Sequence, residues 1–257
     1  MLTHLYLSAH LDDAVLSCGG LIHKQVQARD RVVVVTICAG DPPPGELSPF
    51  AQELHQRWGL EAARAVAARR AEDLRALASL GAEAFHLPTP DCIYRADSAG
   101  RHLYASEPAI FGPLNSAEHV LARRVAEKIS GLVHGLGRCH LYAPLGLGQH
   151  VDHQLTRRAA EIVGNVYAYF DDYPYVAQKT GEGQFAALTR TPDGRELVGE
   201  AVPLGDANLA AQGQAIAHYA SQISTFWANS AEMEAALREF ALRAGEGRLA
   251  ERLWRMR

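Results

Sequence analysis

Residues 5–28 read LYLSAHLDDAVLSCGGLIHKQVQA, and they predict a strand, a short polar loop and a helix in immediate succession. The first residues form an apolar run typical of a buried strand, and from Asp13 onward the apolar residues recur at helical spacing. His10, Asp12 and Asp13 follow the strand directly. In an open α/β sheet, ligands bind in the crevice outside the carboxyl ends of the strands. These side chains are therefore candidates for a binding site, the alternative being that Asp12 or Asp13 caps the helix.

A second polar cluster, GQHVDH at residues 148–153, lies between another predicted strand and another predicted helix. His150 and His153 are three positions apart, so at a helix start they can face the same way. Alone, the pattern is typical of two surface imidazoles beside a capping Asp152. Because both clusters follow a strand and precede a helix, we expect them to open onto the same edge of one sheet. Their coincidence favours a metal site.

The candidate ligands in the two clusters are two imidazoles and one carboxylate. His10, Asp13 and His153 would supply two nitrogens and one oxygen, the three protein ligands of a catalytic zinc ion that keeps a fourth position for water. The same donors also accept Fe²⁺ or another divalent ion. Bound zinc lowers the pKa of its water towards neutrality and polarises a carbonyl oxygen. The set therefore indicates hydrolysis of an amide by attack of metal-bound water.

The other polar residues of the clusters are candidates for proton transfer and transition-state stabilisation. Asp12 is adjacent to a ligand and suits a general base that takes a proton from the water. His150, one turn from His153, is a candidate for stabilising the oxyanion or protonating the leaving amine. Asp152 is a candidate acceptor that orients one of the two imidazoles. Asp12, His150 and Asp152 are thus the candidate catalytic residues.

Both clusters resemble the motifs of a known family. His10-Leu11-Asp12-Asp13 followed by Gly19-Gly20, together with His150-Val151-Asp152-His153, is similar to the LmbE-like or PIG-L family of zinc-dependent N-acetylglucosaminyl deacetylases. The resemblance implies a Rossmann-type sheet, a bound metal ion and removal of acetyl groups from amino sugars. It also implies metal ligands, a catalytic base and a transition-state stabiliser at the matching positions, which are His10, Asp13 and His153, then Asp12, then His150.

Weaker similarities to the same family extend from Leu5 to Gln222. They comprise Arg69-Arg70-Ala71-Glu72 with Leu80-Gly81, Leu87-Pro88-Thr89-Pro90-Asp91, which resembles the substrate-facing loop, and Tyr219-Ala220-Ser221-Gln222. Arg and Tyr side chains suit a sugar, which offers hydroxyl groups and flat faces. The candidate substrate-binding residues are Arg69, Arg70, Asp91 and Tyr94. The irregular region of residues 91–115, which carries Tyr94, is expected to wrap the mouth of the pocket, the alternative being ordinary loop packing.

The chain departs from the first family motif at two positions. That motif usually reads His-Pro-Asp-Asp-Glu, whereas this chain has Leu11 in place of the proline and Ala14 in place of the glutamate. None of the candidate metal ligands is lost. The missing carboxylate at Ala14 does remove an acceptor that would orient a ligand, and such losses weaken metal affinity or activity by roughly 10- to 100-fold.

The composition is that of an ordinary soluble enzyme. The chain has 257 residues, 48% of them hydrophobic, which suffices for a sizeable core. A formal charge of −4 gives no electrostatic reason to expect nucleic acid or an anionic membrane as a partner. The sequence contains no signal-peptide pattern and no apolar run of membrane-spanning length, and its four scattered cysteines are expected to be reduced. We therefore expect a cytoplasmic protein whose partner is a small-molecule or glycoconjugate substrate.

Strands and helices alternate along the sequence, which predicts an α/β fold with a Rossmann-like, mostly parallel sheet, helices on both faces, and a C-terminal β-hairpin and helices. We expect one domain over residues 1–257, with a core at about 4–170 and a C-terminal part at about 171–257. The hairpin is predicted over residues 185–204 around Pro192-Asp193-Gly194, and residues 248–257 are expected to fray or to pack at the edge. The turn DDYPY at residues 171–175 is a candidate substrate contact or a strand end. Helices are predicted over residues 13–28, 56–80, 116–135, 154–163, 208–225 and 231–244.

These observations favour a metal-dependent hydrolase that removes an N-acetyl group from an amino sugar or glycoconjugate. Two alternatives stay open, namely a broader C–N amidase acting on a sugar conjugate and a non-catalytic relic that binds metal or sugar. Asp12 and His150 speak against the relic, because metal binding alone does not need them. A purely structural α/β protein would require both motifs to be helix caps.

Overall fold

Strands and helices alternate along most of the chain. The structure, a computed structural model, describes residues 1–59, 62–177, 182–191 and 193–257. Within these ranges no helix is both long enough and apolar enough to span a bilayer. The elements are β1 (Thr3–Ser8), α1 (Asp13–Gln27), β2 (Arg31–Thr36), α2 (Pro49–Arg57), α3 (Ala62–Leu80), β3 (Glu83–His86), α4 (Glu107–Ile110), α5 (His119–Leu136), β4 (Cys139–Pro144), α6 (Val151–Val163), β5 (Val166–Phe170), α7 (Glu182–Leu188), β6 (Leu197–Pro203), α8 (Asp206–Ile216), α9 (Ala220–Phe226), α10 (Ser230–Ala244) and β7 (Ala250–Met256).

The described strands form one sheet in the order β3-β2-β1-β4-β5-β7-β6. The first five of these are parallel to one another, whereas β7 pairs antiparallel with both β5 and β6. The predicted Rossmann-like, mostly parallel sheet is therefore confirmed. The chain order reverses between β1 and β4, and a crevice opens at such a switch point outside the carboxyl ends of the strands. Both polar motifs follow these two strands.

The sheet is covered by helices on both faces. Successive residues of a strand point to opposite faces, and here Tyr6 and Val34 belong to a different apolar cluster from Leu5, Leu7 and Val35. The first cluster includes buried residues of α1, α3, α8 and α10, and the second includes residues of α5 and α6. The near-continuous apolar strands are thus explained by burial on both sides.

The C-terminal part differs from its sequence prediction. The hairpin predicted over residues 185–204 is reduced to a short turn closed by an antiparallel bridge between Arg190 and Glu196, because residues 182–188 form α7 and β6 pairs along its length with β7. Part of the predicted turn, Pro192, lies outside the described residues. The last residues do not fray, since Leu253 and Trp254 of β7 are buried in the core. The pairing joins strands far apart in sequence, which local turn chemistry does not reveal.

Two long predicted helices are each divided in two. The helix predicted over residues 56–80 is replaced by α2, which begins at Pro49, and by α3, and residues 60–61 between them lie outside the described ranges. The helix predicted over residues 208–225 is replaced by α8 and α9. At the second division the hydroxyl of Tyr219 donates a hydrogen bond to Asp73 Oδ1 at 2.7 Å. A tertiary contact therefore accompanies the break in an otherwise helical sequence.

Gly19 and Gly20 lie in the middle of α1, where they let C-terminal elements approach the helix. A Cβ atom on Gly19 would lie 2.6 Å from Gln212 Cγ, and one on Gly20 would lie 2.6 Å from Leu204 Cδ1. Gln212 Nε2 donates to two carbonyl groups of α1 at 3.0 Å each, and the carboxylate of Glu251 accepts from two backbone N–H groups of the same helix at 2.9 Å. The glycine pair therefore serves packing.

Replacing Gly19 with Ala is expected to lower the free energy of unfolding by about 1–3 kcal/mol, because the added methyl group overpacks the contact with Gln212. Gly131→Ala in α5 is the matched control. Apart from the adjoining residues and backbone of the helix itself, no described atom lies within 4 Å of a Cβ built there, so the higher helix propensity of Ala should raise stability by about 0.5–1 kcal/mol. Urea denaturation of the two variants measures both changes. A stabilised Gly19→Ala protein would contradict the packing role.

Candidate active site

The two polar motifs meet at the switch point of the sheet. His10 follows β1, and His150 is the N-cap residue of α6, which follows β4. The imidazoles of His10, His150 and His153 are buried, and one nitrogen of each lies within 4.8 Å of the others. The prediction that both clusters open onto one edge of the sheet is confirmed. The alternative of two surface imidazoles is wrong.

The carboxylates of the first motif do not act as ordinary helix caps. Asp12 occupies the N-cap position of α1, yet its side chain makes no capping hydrogen bond within the described residues. The backbone N–H of Ala14 donates to Ser8 Oγ at 3.0 Å instead, and Asp13 Oδ2 accepts from the backbone N–H of His10 at 2.7 Å. At α6, His150 Nδ1 takes the capping role by accepting from the N–H of Asp152 at 3.2 Å. Asp12 is therefore left to line the cavity beside the motifs.

The Asp13 carboxylate lies between two imidazoles. Its Oδ2 atom is 3.3 Å from His10 Nδ1 and 3.2 Å from His153 Nε2. The outer nitrogens of these rings contact other carboxylates, since His10 Nε2 lies 2.9 Å from Asp152 Oδ2 and His153 Nδ1 lies 2.6 Å from Asp172 Oδ1. His153 Nε2 is buried and has no hydrogen-bond partner among the described residues. Both inner nitrogens thus face Asp13, and each can offer a lone pair to a cation once its proton is lost.

This donor set fits a divalent cation. Two neutral imidazoles with their outer N–H groups on carboxylates are the usual arrangement of histidine ligands, because the outer bond fixes the tautomer and the ring orientation. Among the described residues, three other groupings are close enough to share an ion: His10 with His150 and His153, Cys92 with His150 and Asp152, and His10 with Asp91 and Asp152. The last two use Asp152, whose oxygens already accept from His10 and Arg95. The grouping around Asp13 is distinguished by His153 Nε2, a buried nitrogen that has no hydrogen-bond partner among the described residues.

The charges around Asp13 also favour a cation. Burial alone would raise the pKa of Asp13, but His153 and His10 hold it well below its usual range. Burial would lower the pKa of His153, yet Asp13 and Asp172 raise it to about 10, and that of His10 is likewise raised well above its ordinary value, chiefly by Asp13. Protons on the imidazoles therefore balance the carboxylates. A metal ion takes the place of such protons when it binds.

The pKa shifts of Asp12 and His150 are opposite to those of the neighbouring Asp13 and His153. The pKa of the Asp12 carboxyl is raised, and that of the His150 imidazole is lowered. Burial, and then the neighbouring Asp13 charge, raise the pKa of Asp12 to about 7. Burial, and then the nearby His10, lower the pKa of His150 well below its ordinary value, so this imidazole is neutral near pH 7. Because its Nδ1 accepts the capping hydrogen bond, the proton lies on Nε2.

A cavity of about 310 Å³ opens beside these residues. The motif residues His10, Asp12, Asp13 and His150 line it together with Asp91. Most of the remaining lining is apolar or aromatic and comes from α2, α9 and two loops, with the side chains Phe50, Leu54, Trp58, Ile93, Ile110, Phe111, Tyr175 and Phe226. The site therefore combines a charged part with an apolar wall.

The four predicted substrate-binding residues are placed differently from one another. Arg69 and Asp91 line the cavity, and the Arg69 guanidinium lies 3.7 Å from Asp12 Oδ2 and 4.9 Å above the Trp58 ring. Arg70 points elsewhere and donates to the Ala39 carbonyl and Asp41 at 2.8 Å each. Consecutive residues of a helix face different directions, which explains the split of the arginine pair.

Tyr94 also lies behind the wall of the cavity. It is buried, and its hydroxyl oxygen lies 2.6 Å from His55 Nε2. The loop that carries it does border the cavity, but through Ile93, Ile110 and Phe111. The wrapping of the mouth by residues 91–115 is thus as expected, whereas Tyr94 packs inside the loop. In such an irregular segment, the residues that face the cavity do not recur at a regular spacing, so the sequence does not reveal which ones they are.

Ala14 does not leave the histidines without carboxylate partners. Ala14 packs in the apolar core, where the glutamate of the family motif would need a different environment. His10 and His153 contact Asp152 and Asp172. Asp172, which belongs to the DDYPY turn, was not predicted in this role, and it is fixed by the backbone N–H groups that follow β4. Both imidazoles therefore have a carboxylate partner although position 14 is an alanine.

Comparison with known proteins agrees with this arrangement. Residues 5–163 match the model of the PIG-L family, described as GlcNAc-PI de-N-acetylase. The chain is 26% identical over 192 residues to 2'-N-acetylparomamine deacetylase from Niallia circulans, which is 68% of each protein. The zinc-inhibited form of teicoplanin deacetylase Orf2 superposes with a TM-score of 0.84 at 30% identity, covering 98% of this chain and 97% of that one. A40926 pseudoaglycone deacetylase Dbv21 gives 0.79 at 30% identity, covering 98% and 95%. Because the family match spans more than half of the sequence, this chain belongs to the PIG-L family of de-N-acetylases.

Proposed function

We propose that this protein is a zinc-dependent N-deacetylase that hydrolyses the N-acetyl group of an amino sugar or glycoconjugate, with Fe²⁺ as the alternative ion. The products are acetate and a free amine. The observation that carries the proposal is the position of Asp13 Oδ2 between two inward-facing imidazole nitrogens, each ring backed by a buried carboxylate. Family membership and the deacetylase names of several relatives support the same reaction.

His10 Nδ1, Asp13 Oδ2 and His153 Nε2 would hold the ion. Three protein ligands of this kind are the number that catalytic zinc sites use. When bound, a divalent ion supplies Lewis acidity toward water and toward the amide carbonyl. The protein then has to accept the proton that the attacking water loses and to stabilise the charge that develops on the carbonyl oxygen.

Asp12 is the proposed proton acceptor. It lines the cavity, is adjacent to Asp13 and has a pKa raised to about 7, first by burial and then by the Asp13 charge. A general base is most effective when its pKa lies near the working pH. Arg69, 3.7 Å away, balances its charge and limits the raised pKa.

His150 is the proposed donor to the developing oxyanion. Its neutral ring carries the proton on Nε2, because Nδ1 accepts the capping hydrogen bond from Asp152 N–H. A neutral N–H donor can stabilise an oxyanion. A ring that stays neutral has no extra proton to give, so the lowered pKa of His150 favours this role over protonation of the leaving amine.

The apolar wall supports a substrate whose sugar carries an apolar group. Aromatic side chains such as Trp58, Phe111 and Phe226 can cover the face of a sugar ring and an apolar aglycone beyond it. We therefore place the N-acetyl group beside the motifs and the aglycone against the wall. The glycopeptide relatives are consistent with such a bulky substrate, since their names specify teicoplanin and the A40926 pseudoaglycone.

The test is acetate release from octyl and methyl glycosides of N-acetylglucosamine, with and without a chelator. We expect chelator-sensitive release and a kcat/KM about 10²-fold higher for the octyl glycoside, which corresponds to burial of about half of its additional methylenes at about 0.8 kcal/mol each. Phe111→Ala should remove much of that preference, whereas Phe85→Ala, an exposed phenylalanine on β3, should not. Equal rates for both glycosides would contradict the aglycone contact. Cleavage of other amides with no acetate release from any amino sugar would instead favour the broader amidase.

A further inference from the structure

A buried chain of charged side chains extends from His10 away from the cavity. Asp152 is 0% exposed, and its two oxygens have different partners, since Oδ2 lies 2.9 Å from His10 Nε2 and Oδ1 accepts from Arg95 Nη1 at 2.5 Å. The Arg95 guanidinium continues to Glu118 through Nε and through Nη2, the latter at 3.1 Å. The hydroxyl of Tyr104 donates to Glu118 Oε2 at 2.5 Å. All four of these side chains are buried.

The two candidate histidine ligands are therefore supported in different ways. Asp172, which contacts His153, is fixed by the backbone N–H groups of Gly146 and Leu147 at 2.7 and 2.8 Å. Asp152, which contacts His10, also accepts from one backbone N–H at 3.0 Å, but this bond goes to the same oxygen that faces His10. Its second oxygen is held by Arg95. Rotation of the Asp152 carboxylate is thus restrained from that side by a guanidinium.

The guanidinium has the right shape for this purpose. Its planar fork of N–H donors can hold two carboxylates at fixed angles, which the single ammonium group of a lysine cannot do. Arg95 lies between Asp152 and Glu118, so the two negative charges share one positive charge in a buried region. Glu118 is in turn held by Tyr104, which also accepts from the N–H of Asn115 at 2.9 Å.

We propose that Arg95 is a positioning residue for the metal site, because it orients Asp152 so that His10 presents Nδ1 toward Asp13. Glu118 and Tyr104 keep the guanidinium in place. This inference rests on the proposed function, since it takes His10 as a metal ligand. It concerns residues that do not touch the substrate cavity: among the described residues, Arg95, Glu118 and Tyr104 are all absent from its lining.

The test is zinc affinity of the metal-free proteins, measured by competition with a chromophoric chelator. Arg95→Gln should weaken zinc binding by about 10- to 100-fold, the usual cost of losing an outer partner of a ligand. Arg95→Lys should recover part of the loss, because it restores the charge without the fork. Tyr104→Phe should weaken binding by a few-fold, which is roughly the effect of one hydrogen bond acting at a distance.

Arg157→Gln is the matched control. Arg157 is similarly buried, but it donates to the carbonyl groups of Leu145, Leu188 and Arg190 and contacts Glu161. Its replacement should lower the thermal midpoint while zinc affinity stays within about two-fold of the wild type, as expected for a stability effect that is not coupled to the site. The comparison separates positioning from a general loss of packing.

Unchanged zinc affinity in Arg95→Gln would overturn the inference, whatever its thermal stability. If that variant does not fold, wild-type affinity in both Arg95→Lys and Tyr104→Phe would overturn it equally. If the wild-type protein binds zinc and releases acetate, and the Arg95 variants bind zinc with the same affinity, only this inference is overturned. A wild-type protein that binds no divalent metal would remove the proposed function together with it.

Discussion

Replacing Asp12 with Asn is expected to lower kcat for deacetylation by a factor of about 10²–10⁴, the usual contribution of a positioned general base. The amide of Asn is close in size to the carboxylate but cannot accept the proton that the attacking water loses. Although Asp12 is adjacent to Asp13, it is not itself a proposed metal ligand. The zinc content of the variant should therefore remain that of the wild type. The measurements are steady-state acetate release and metal analysis of the same protein sample.

Asp171→Asn provides the control for this experiment. Asp171 is also buried, but it accepts from Trp254 Nε1 at 2.6 Å and is absent from the cavity lining among the described residues. An asparagine there keeps an acceptor oxygen, so kcat should change little. If Asp12→Asn kept full activity, Asp12 would not be the base. If it lost zinc along with activity, Asp12 would belong to the metal site instead.

Replacing His153 with Ala is expected to abolish both zinc binding and deacetylation. The change removes one of three proposed ligands and leaves Asp13 and Asp172 as buried carboxylates without their shared partner. The loss of affinity should exceed the roughly 10- to 100-fold that removal of an outer hydrogen-bond partner costs. Zinc titration and acetate release measure the two effects separately.

His140→Ala is the matched control for the histidine. His140 lies near the start of β4, at the opposite end of the strand from the motifs, where its ring stacks on Tyr167 at 3.7 Å between centroids. Its replacement should leave zinc stoichiometry unchanged. Retention of one equivalent of zinc by His153→Ala would show that the ion is held by other residues.

The position of the site was predictable because it depends on short-range patterns. Each motif lies within a few residues of an apolar strand, and parallel strands must end at the same edge of the sheet. The spacing of the two histidines in the second motif lets them face one site, and the strand–loop–helix context that both motifs share favours a common site. The spacing does not reveal which ring nitrogen of His10 and of His153 faces Asp13, because that depends on the contacts of these rings with Asp152 and Asp172.

The surroundings of the site depend on contacts between residues far apart in sequence. Arg69 and Arg70 are equivalent in a sequence, and only the docking of α3 decides that Arg69 faces the cavity. Arg95 is an attractive sugar ligand by residue type, but its contacts with Asp152 and Glu118 turn it inward. The pairing of β6 with β7 likewise joins strands separated by α8, α9 and α10, and the close contact of Gly19 with Gln212 joins α1 to α8.

The most direct test of the metal site is a crystal structure of the zinc-loaded protein with anomalous diffraction recorded at the zinc absorption edge. We predict one anomalous peak at about 2.0–2.2 Å from His10 Nδ1, Asp13 Oδ2 and His153 Nε2, the distances usual for nitrogen and oxygen ligands of zinc. A peak coordinated by Cys92, His150 and Asp152, or no peak beside the motifs, would contradict the account.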